Sequence, residues 1–245
     1  YKNIGNEDES NYEFITNNFF DSIDLLSNSS PTLVDIDNDG DLDLFIGQKV
    51  SLDTTPFRGR INFFENIGDN KNPIFKLIDN EFLGQDLGSD LCPHFGDIDM
   101  DDDYDLIIGT YSGNILIYEN IGNKNNFNFI YHSTINTDSN FWFSVPYLYD
   151  FDNDGNLDII SGNIYGNLVL YLQDSLFSFI LDVNPIEDVN VGYYSAPYFF
   201  DFDLDNDMDL VVGGRDNHQI YVNENNTFFQ TDDINIPYLG KDVKF

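Results

Sequence analysis

Asp35-Ile-Asp37-Asn-Asp39-Gly-Asp41-Leu-Asp43 sets an aspartate at every second position through what must be a tight turn. The same phrase begins again at Asp97, Asp150 and Asp201. Oxygen donors at alternating positions of one turn can wrap a hard cation, and calcium takes six to eight oxygens at about 2.3–2.6 Å. Without a cation the same carboxylates would repel one another across a few ångströms. The pattern therefore predicts four calcium ions, about one per loop. Magnesium fits less well, because it keeps its waters and takes fewer protein ligands.

The loops are offset by 62, 53 and 51 residues, and self-similarity at such a period points to a propeller or solenoid. A proline stands four residues before each loop (Pro31, Pro93, Pro146, Pro197), with a short apolar run between. After each loop an apolar run ends in glycine, at Gly47, Gly109, Gly162 and Gly213. These runs, rich in Ile, Val and Phe, are too short for helices and read as strands. A third strand follows (61–66, 115–120, 168–172, 219–223), then a turn and a less regular fourth strand such as 75–78. Four antiparallel strands per unit make a propeller blade.

The fold expected is thus an all-β propeller: a partial blade over 1–24 and whole blades over 25–87, 88–140, 141–191 and 192–245. The opening Tyr1-Lys-Asn-Ile-Gly5 matches Tyr118-Glu-Asn-Ile-Gly122, so the chain starts inside a third strand and reads as a piece of a larger propeller. Residues 48–60 are the one clear insertion.

The recurring Asp-x-Asp-x-Asp-Gly-x-x-Asp between two strands resembles the FG-GAP/VCBS repeat family, which includes the N-terminal propeller of integrin alpha subunits. The resemblance implies a calcium-binding, secreted or surface-exposed adhesion module. It also implies, as the alternating geometry does independently, which oxygens bind: side chains at positions 1, 3, 5 and 9 and the backbone carbonyl at position 7. In order these are Asp35, Asp37, Asp39, Asp43 and Asp41; Asp97, Asp99, Asp101, Asp105 and Asp103; Asp150, Asp152, Asp154, Asp158 and Asn156; and Asp201, Asp203, Asp205, Asp209 and Asp207. Position 6 wants a positive φ, which Gly40 and Gly155 adopt freely and Asn206 tolerates, whereas Asp102 would be strained. An EF-hand would need a bidentate acid at position 12, where this chain has Ile46, Ile108, Ser161 and Val212.

The net charge is -34, and the four loops hold 20 of the 44 acidic residues. Four divalent ions would leave -26, still too acidic for nucleic acid or an anionic membrane as partner. Hydrophobic residues at 41%, with 16% aromatic, suffice for a sizeable core, and no apolar stretch nears the roughly 20 residues of a membrane helix. The single cysteine, Cys92, stands where other units have Ser30, Val145 and Ala196, and reads as a small packing residue rather than a reactive thiol. His94, His132 and His218 form no ligand cluster, and His94 reads as a packed strand residue.

Because strands alternate in direction, the acidic turns share a face with the three-to-four turns. The opposite face would collect Arg58, Arg60, Tyr165 and Arg215, with Trp142, Tyr193 and Tyr194 from the segments before the prolines. Phe141 and Phe143 read there as interblade core. Exposed aromatics and arginines anchor interfaces, and three arginines would make a less negative patch for a protein or glycan ligand. The alternatives are a propeller-type polysaccharide lyase or hydrolase, or its accessory module, and a passive spacer. No nucleophile elbow, phosphate loop or dinucleotide fingerprint supports an enzyme.

Overall fold

A computed structural model describes residues 2–4, 11–13, 28–50, 58–137, 142–182, 189–203, 205–224 and 227–231. Two short strands, β1 (Lys2–Asn3) and β2 (Tyr12–Glu13), pair antiparallel. Four four-stranded antiparallel sheets follow, each wound in chain order from the inside out. Blade 1 holds β3 (Ser30–Val34), β4 (Asp43–Gly47), β5 (Ile61–Asn66) and β6 (Phe75–Asp79). Blade 2 holds β7 (Cys92–Gly96), β8 (Asp105–Gly109), β9 (Ile115–Asn120) and β10 (Phe129–Ile135). Blade 3 holds β11 (Val145–Tyr149), β12 (Asp158–Gly162), β13 (Leu168–Ser175) and β14 (Ser178–Asp182). Blade 4 holds β15 (Ala196–Phe200), β16 (Asp209–Gly213), β17 (His218–Asn223) and β18 (Phe228–Thr231). The described residues form a four-bladed β-propeller, with the four whole blades that the repeat predicts, whereas most of the partial blade expected over 1–24 lies outside the described residues. Among the described residues no helix is long and apolar enough to cross a membrane.

The prolines sit on the innermost strands, paired with β4, β8, β12 and β16. The second strands of blades 1 to 3 are buried on both faces and β16 less completely, and their period-two alternation sends successive residues into different cores. On β8, Leu106 and Ile108 pack back into a cluster with Phe45 and Phe95, while Ile107 packs forward with Leu148 and Ile159. On β12, Ile159 faces back and Ile160 forward, toward Phe199 and Leu210. Each fully buried side chain of this size contributes roughly 1.5–3 kcal/mol, so the interblade seams carry most of the stabilisation.

The seams close to backbone contact. A Cβ on Gly47, Gly109 or Gly162 would collide with the carbonyl oxygen of Leu91, Ser144 or Ser195, each in the strap leading into the next blade. Gly213 differs: the nearest atom to its Cβ would be Ala196 O of its own blade, at 3.9 Å. The fourth residue of each inner strand tells the same story. Phe95, Leu148 and Phe199 are buried against the preceding blade, whereas Leu33 on β3 is 53% exposed. Phe200 and Phe229, on the flank of blade 4 turned away from blade 3, are exposed as well. Among the described residues, blade 4 does not close on blade 1 as its neighbours close on each other.

Inner strands of all four blades line an axial channel of about 480 Å³. His94 lies in it with its ring 4.2 Å from Tyr147, and withdrawal from bulk solvent pushes its pKa down to about 4, so it is neutral. Cys92 is a buried free thiol pushed up to about 12 by burial, which makes it unreactive.

Candidate metal centres

Each loop joins the innermost strand to the second strand, and all four share one hydrogen-bonding scheme. The position-1 carboxylate bridges the turn: Asp35 accepts N–H bonds from Asp39 and Gly40, Asp97 from Asp101 and Asp102, and Asp150 from Asp154 and Gly155, at 3.0–3.1 Å. Asp201 accepts from Asn206 at 3.2 Å. The position-5 aspartates, Asp39, Asp101, Asp154 and Asp205, each accept from the N–H two residues on. These local bonds curl the chain so that alternate carboxylates point inward.

Positive φ occurs at position 6 in every loop: Gly40 +97°, Asp102 +73°, Gly155 +93° and Asn206 +76°. Asp102 therefore does hold the strained conformation its position demands. A second left-handed residue at position 4 (Asn38, Met100, Asn153) accompanies it, and the sequence gives that away only where asparagine stands.

In each loop three carboxylates offer oxygens that all lie within 4.8 Å of one another, a donor set able to hold a cation. They are Asp35, Asp37 and Asp39; Asp97, Asp99 and Asp101; Asp150, Asp152 and Asp158; and Asp201, Asp203 and Asp209. Among the described residues, buried oxygens of Asp37, Asp41, Asp99, Asp103 and Asp207 accept no hydrogen bond. A buried anion without a donor is costly unless a cation sits beside it. Oxygen-only donors, crowded and short of hydrogen bonds, suit calcium.

The electrostatics agree. Burial, reinforced by neighbouring carboxylates, holds Asp37, Asp41, Asp99, Asp203 and Asp207 above the ordinary carboxylate range. Burial and the charges of Asp101 and Asp99 push Asp103 up to about 6. Position 7, expected to lend its backbone carbonyl, thus also turns a side-chain oxygen inward in three loops.

Position 9 has a second task. Asp43, Asp105, Asp158 and Asp209 are all but wholly buried. Asp105 accepts N–H bonds from Ile98 and Asn120, Asp158 from Phe151 and Gln173, and Asp209 from Phe202 and Asn223, at 2.7–3.0 Å. Asp43 accepts from Asn66 at 2.8 Å. This aspartate therefore ties the loop to the end of the third strand. Burial still outweighs those bonds, raising Asp43 to about 6 and Asp105 to about 7.

Asparagines of the three-to-four turns reach the first loop: Asn70 donates to Gly40 O at 2.6 Å, and Asn125 of blade 2 to Asp37 O at 3.0 Å. These turns do share a face with the acidic loops. Nothing in the period of the sequence marks Asn125 as a neighbour of blade 1.

At the opposite end, Trp142 packs edge-on against Tyr111 at 5.5 Å and stays 44% exposed. The Arg215 guanidinium lies 4.4 Å over the exposed Tyr193 ring and pairs with Asp216. Tyr165 is exposed there, and Arg60 is half-buried. Arg58 pairs with Glu81, so Arg58 and Arg215 both meet local carboxylates. Phe143 packs edge-on against Tyr194 at 5.0 Å across blades, whereas Phe141 lies outside the described residues.

No curated protein sequence matches the chain. A family model, the FG-GAP-like repeat, matches residues 97–161 and 150–212, that is, from the second acidic loop to the second strand of blade 4. Residues 97–212 are thus FG-GAP-like repeats, and blade 1 repeats the same loop chemistry and strand order within the same β-propeller.

Proposed function

We propose that this chain is a calcium-stabilised extracellular recognition module, with the ions structural and the ligand, a protein or a glycan, taken on the face opposite them. The observation that carries the metal half is the trio of carboxylates in each loop whose oxygens lie within 4.8 Å of one another, among them Asp37 and Asp99, each with a buried oxygen that accepts no hydrogen bond among the described residues. Calcium would supply the charge these oxygens lack, fix the first two strands of each blade and lift the repulsion within each turn. Its affinity would suit a calcium-rich exterior, on the order of 10⁻⁴–10⁻³ M. Repeats of this family point to the same setting. The exposed Tyr111–Trp142 and Tyr193–Arg215 pairs support recognition on the other face, since such residues anchor interfaces. On this reading the segment binds and does not catalyse.

The test is thermal unfolding of the chain with calcium, with magnesium and with chelator, alongside metal counting by atomic emission. About four calcium ions per chain and a melting point well above that in chelator are expected, since each site held at 100 times its Kd adds about 2.7 kcal/mol. Coincident melting curves in calcium and chelator would refute the proposal.

A further inference from the structure

The axial channel opens, at the end away from the acidic loops, into a cavity of about 460 Å³, within the range of small-ligand sites. Its floor is the first residue of each inner strand: Ser30, Cys92, Val145 and Ala196. Its rim is built from the residue two positions earlier in each blade: Asn28, Asp90, Phe143 and Tyr194. All four hold a left-handed backbone, with φ of +55°, +50°, +64° and +59°, a conformation uncommon for non-glycine residues.

The four rim positions are equivalent in fold but split in chemistry. Phe143 and Tyr194 form an aromatic half. Asn28 and Asp90 form a polar half, joined by a 3.0 Å bond from Asn28 Nδ2 to Asp90 Oδ1. Asp90 is only 3% exposed, and its Oδ2 accepts no hydrogen bond among the described residues. Lys49 Nζ stands 3.9 Å from Asp90 Oδ1, and Arg215 lines the cavity from blade 4.

We infer that this cavity binds a neutral pyranose unit of a glycan, an inference that rests on the recognition role proposed above and locates it. A sugar hydroxyl donates to Asp90 Oδ2 and another accepts from the Arg215 guanidinium, while the C–H face of the ring lies on Phe143 and Tyr194. An ammonium ligand would face two cations, Lys49 and Arg215, at the same rim. An acidic sugar would have to approach a chain of net charge -34.

Trp142, the single tryptophan and the immediate neighbour of Phe143, reports on the cavity. The calcium-loaded chain is titrated with methyl glucoside, galactoside, mannoside and N-acetylglucosaminide, with n-butylamine and methyl glucuronide as charged comparators, following Trp142 fluorescence and saturation-transfer NMR. At least one neutral pyranoside is expected to saturate, and Tyr194→Ala and Arg215→Ala each to weaken it at least tenfold with the calcium-dependent melting shift intact. Asp90→Asn, which keeps the shape but replaces a carboxylate oxygen with an amide, should weaken it likewise. No saturable neutral pyranoside, butylamine binding in their place, or only the glucuronide binding overturns the inference. Pyranoside binding indifferent to all three variants overturns the cavity while leaving glycan recognition in place, and loss of the calcium shift in the wild type would instead strike the underlying reading.

Discussion

Asp209 and Asp203 belong to the same acidic loop, yet their removal should have opposite consequences. Asp209 is fully buried and accepts the backbone N–H groups of Phe202 at 2.7 Å and Asn223 at 2.9 Å, linking the loop to the end of β17. Asp209→Ala leaves both donors buried without an acceptor, at about 1–3 kcal/mol each, or about 2–6 kcal/mol in all. That loss is independent of metal, so it should be read in chelator as clearly as in calcium. Asp203 is exposed, and local desolvation of its carboxyl by the crowded loop, together with the charges of Asp209, Asp205 and Asp201, raises its pKa. Asp203→Ala removes a repelling charge, so in chelator the variant should be as stable as wild type or more so. In calcium it should lose stability, because the loop then lacks a donor. Urea unfolding of both variants in each condition gives the four free energies required. If Asp209→Ala is no less stable than Asp203→Ala in chelator, the brace assigned to position 9 is wrong.

Two further expectations concern charge and packing. The folded-state carboxyls of Asp43 and Asp103 at about 6 and Asp105 at about 7, against an ordinary 3.8, bind protons more tightly folded than unfolded. In chelator the stability they contribute is therefore fully present below about pH 4 and lost as pH rises through 6–7, so the melting point should fall between about pH 4 and about pH 7 and level off above it. In saturating calcium the trend should reverse, because metal competes with those protons; parallel pH profiles in the two conditions would contradict the charge argument. Gly109→Ala should be severely destabilising, since its Cβ meets the Ser144 carbonyl, whereas Gly213→Ala, in open space, should move the melting point little. Equal losses in the two variants would show that blade 4 is sealed like the others.

Much of this was legible in the sequence because it repeats. Four prolines and four glycines at fixed distances from four acidic turns locate β3 and β4 and their counterparts to within a residue or so. The inward position-3 carboxylates follow from the same alternation. What was not legible is what crosses between units. Asp209 and its equivalents look like one more ligand in a list of aspartates, and only the third strand's N–H groups show that they brace the blade. Asn125 is 88 residues from the carbonyl it caps, and no period relates the two. The rim of the cavity was hidden for another reason: Asn28, Asp90, Phe143 and Tyr194 share a backbone conformation and no side-chain character. Two are polar and two aromatic, and what all four share is only φ.

Gly213 carries a consequence of its own. At Gly47, Gly109 and Gly162 the missing side chain is enforced by an arriving strap, so selection for glycine there is a matter of collision. At Gly213 no such collision operates, yet glycine stands there too, beside Phe200 and Phe229 left facing water. A sheet finished to the same specification as its siblings, but with no described residue pressed to it, is a template for lateral growth. Handled alone at high concentration, the chain should tend to self-associate through that side, and any segment that docks there inherits a socket already shaped to admit its backbone.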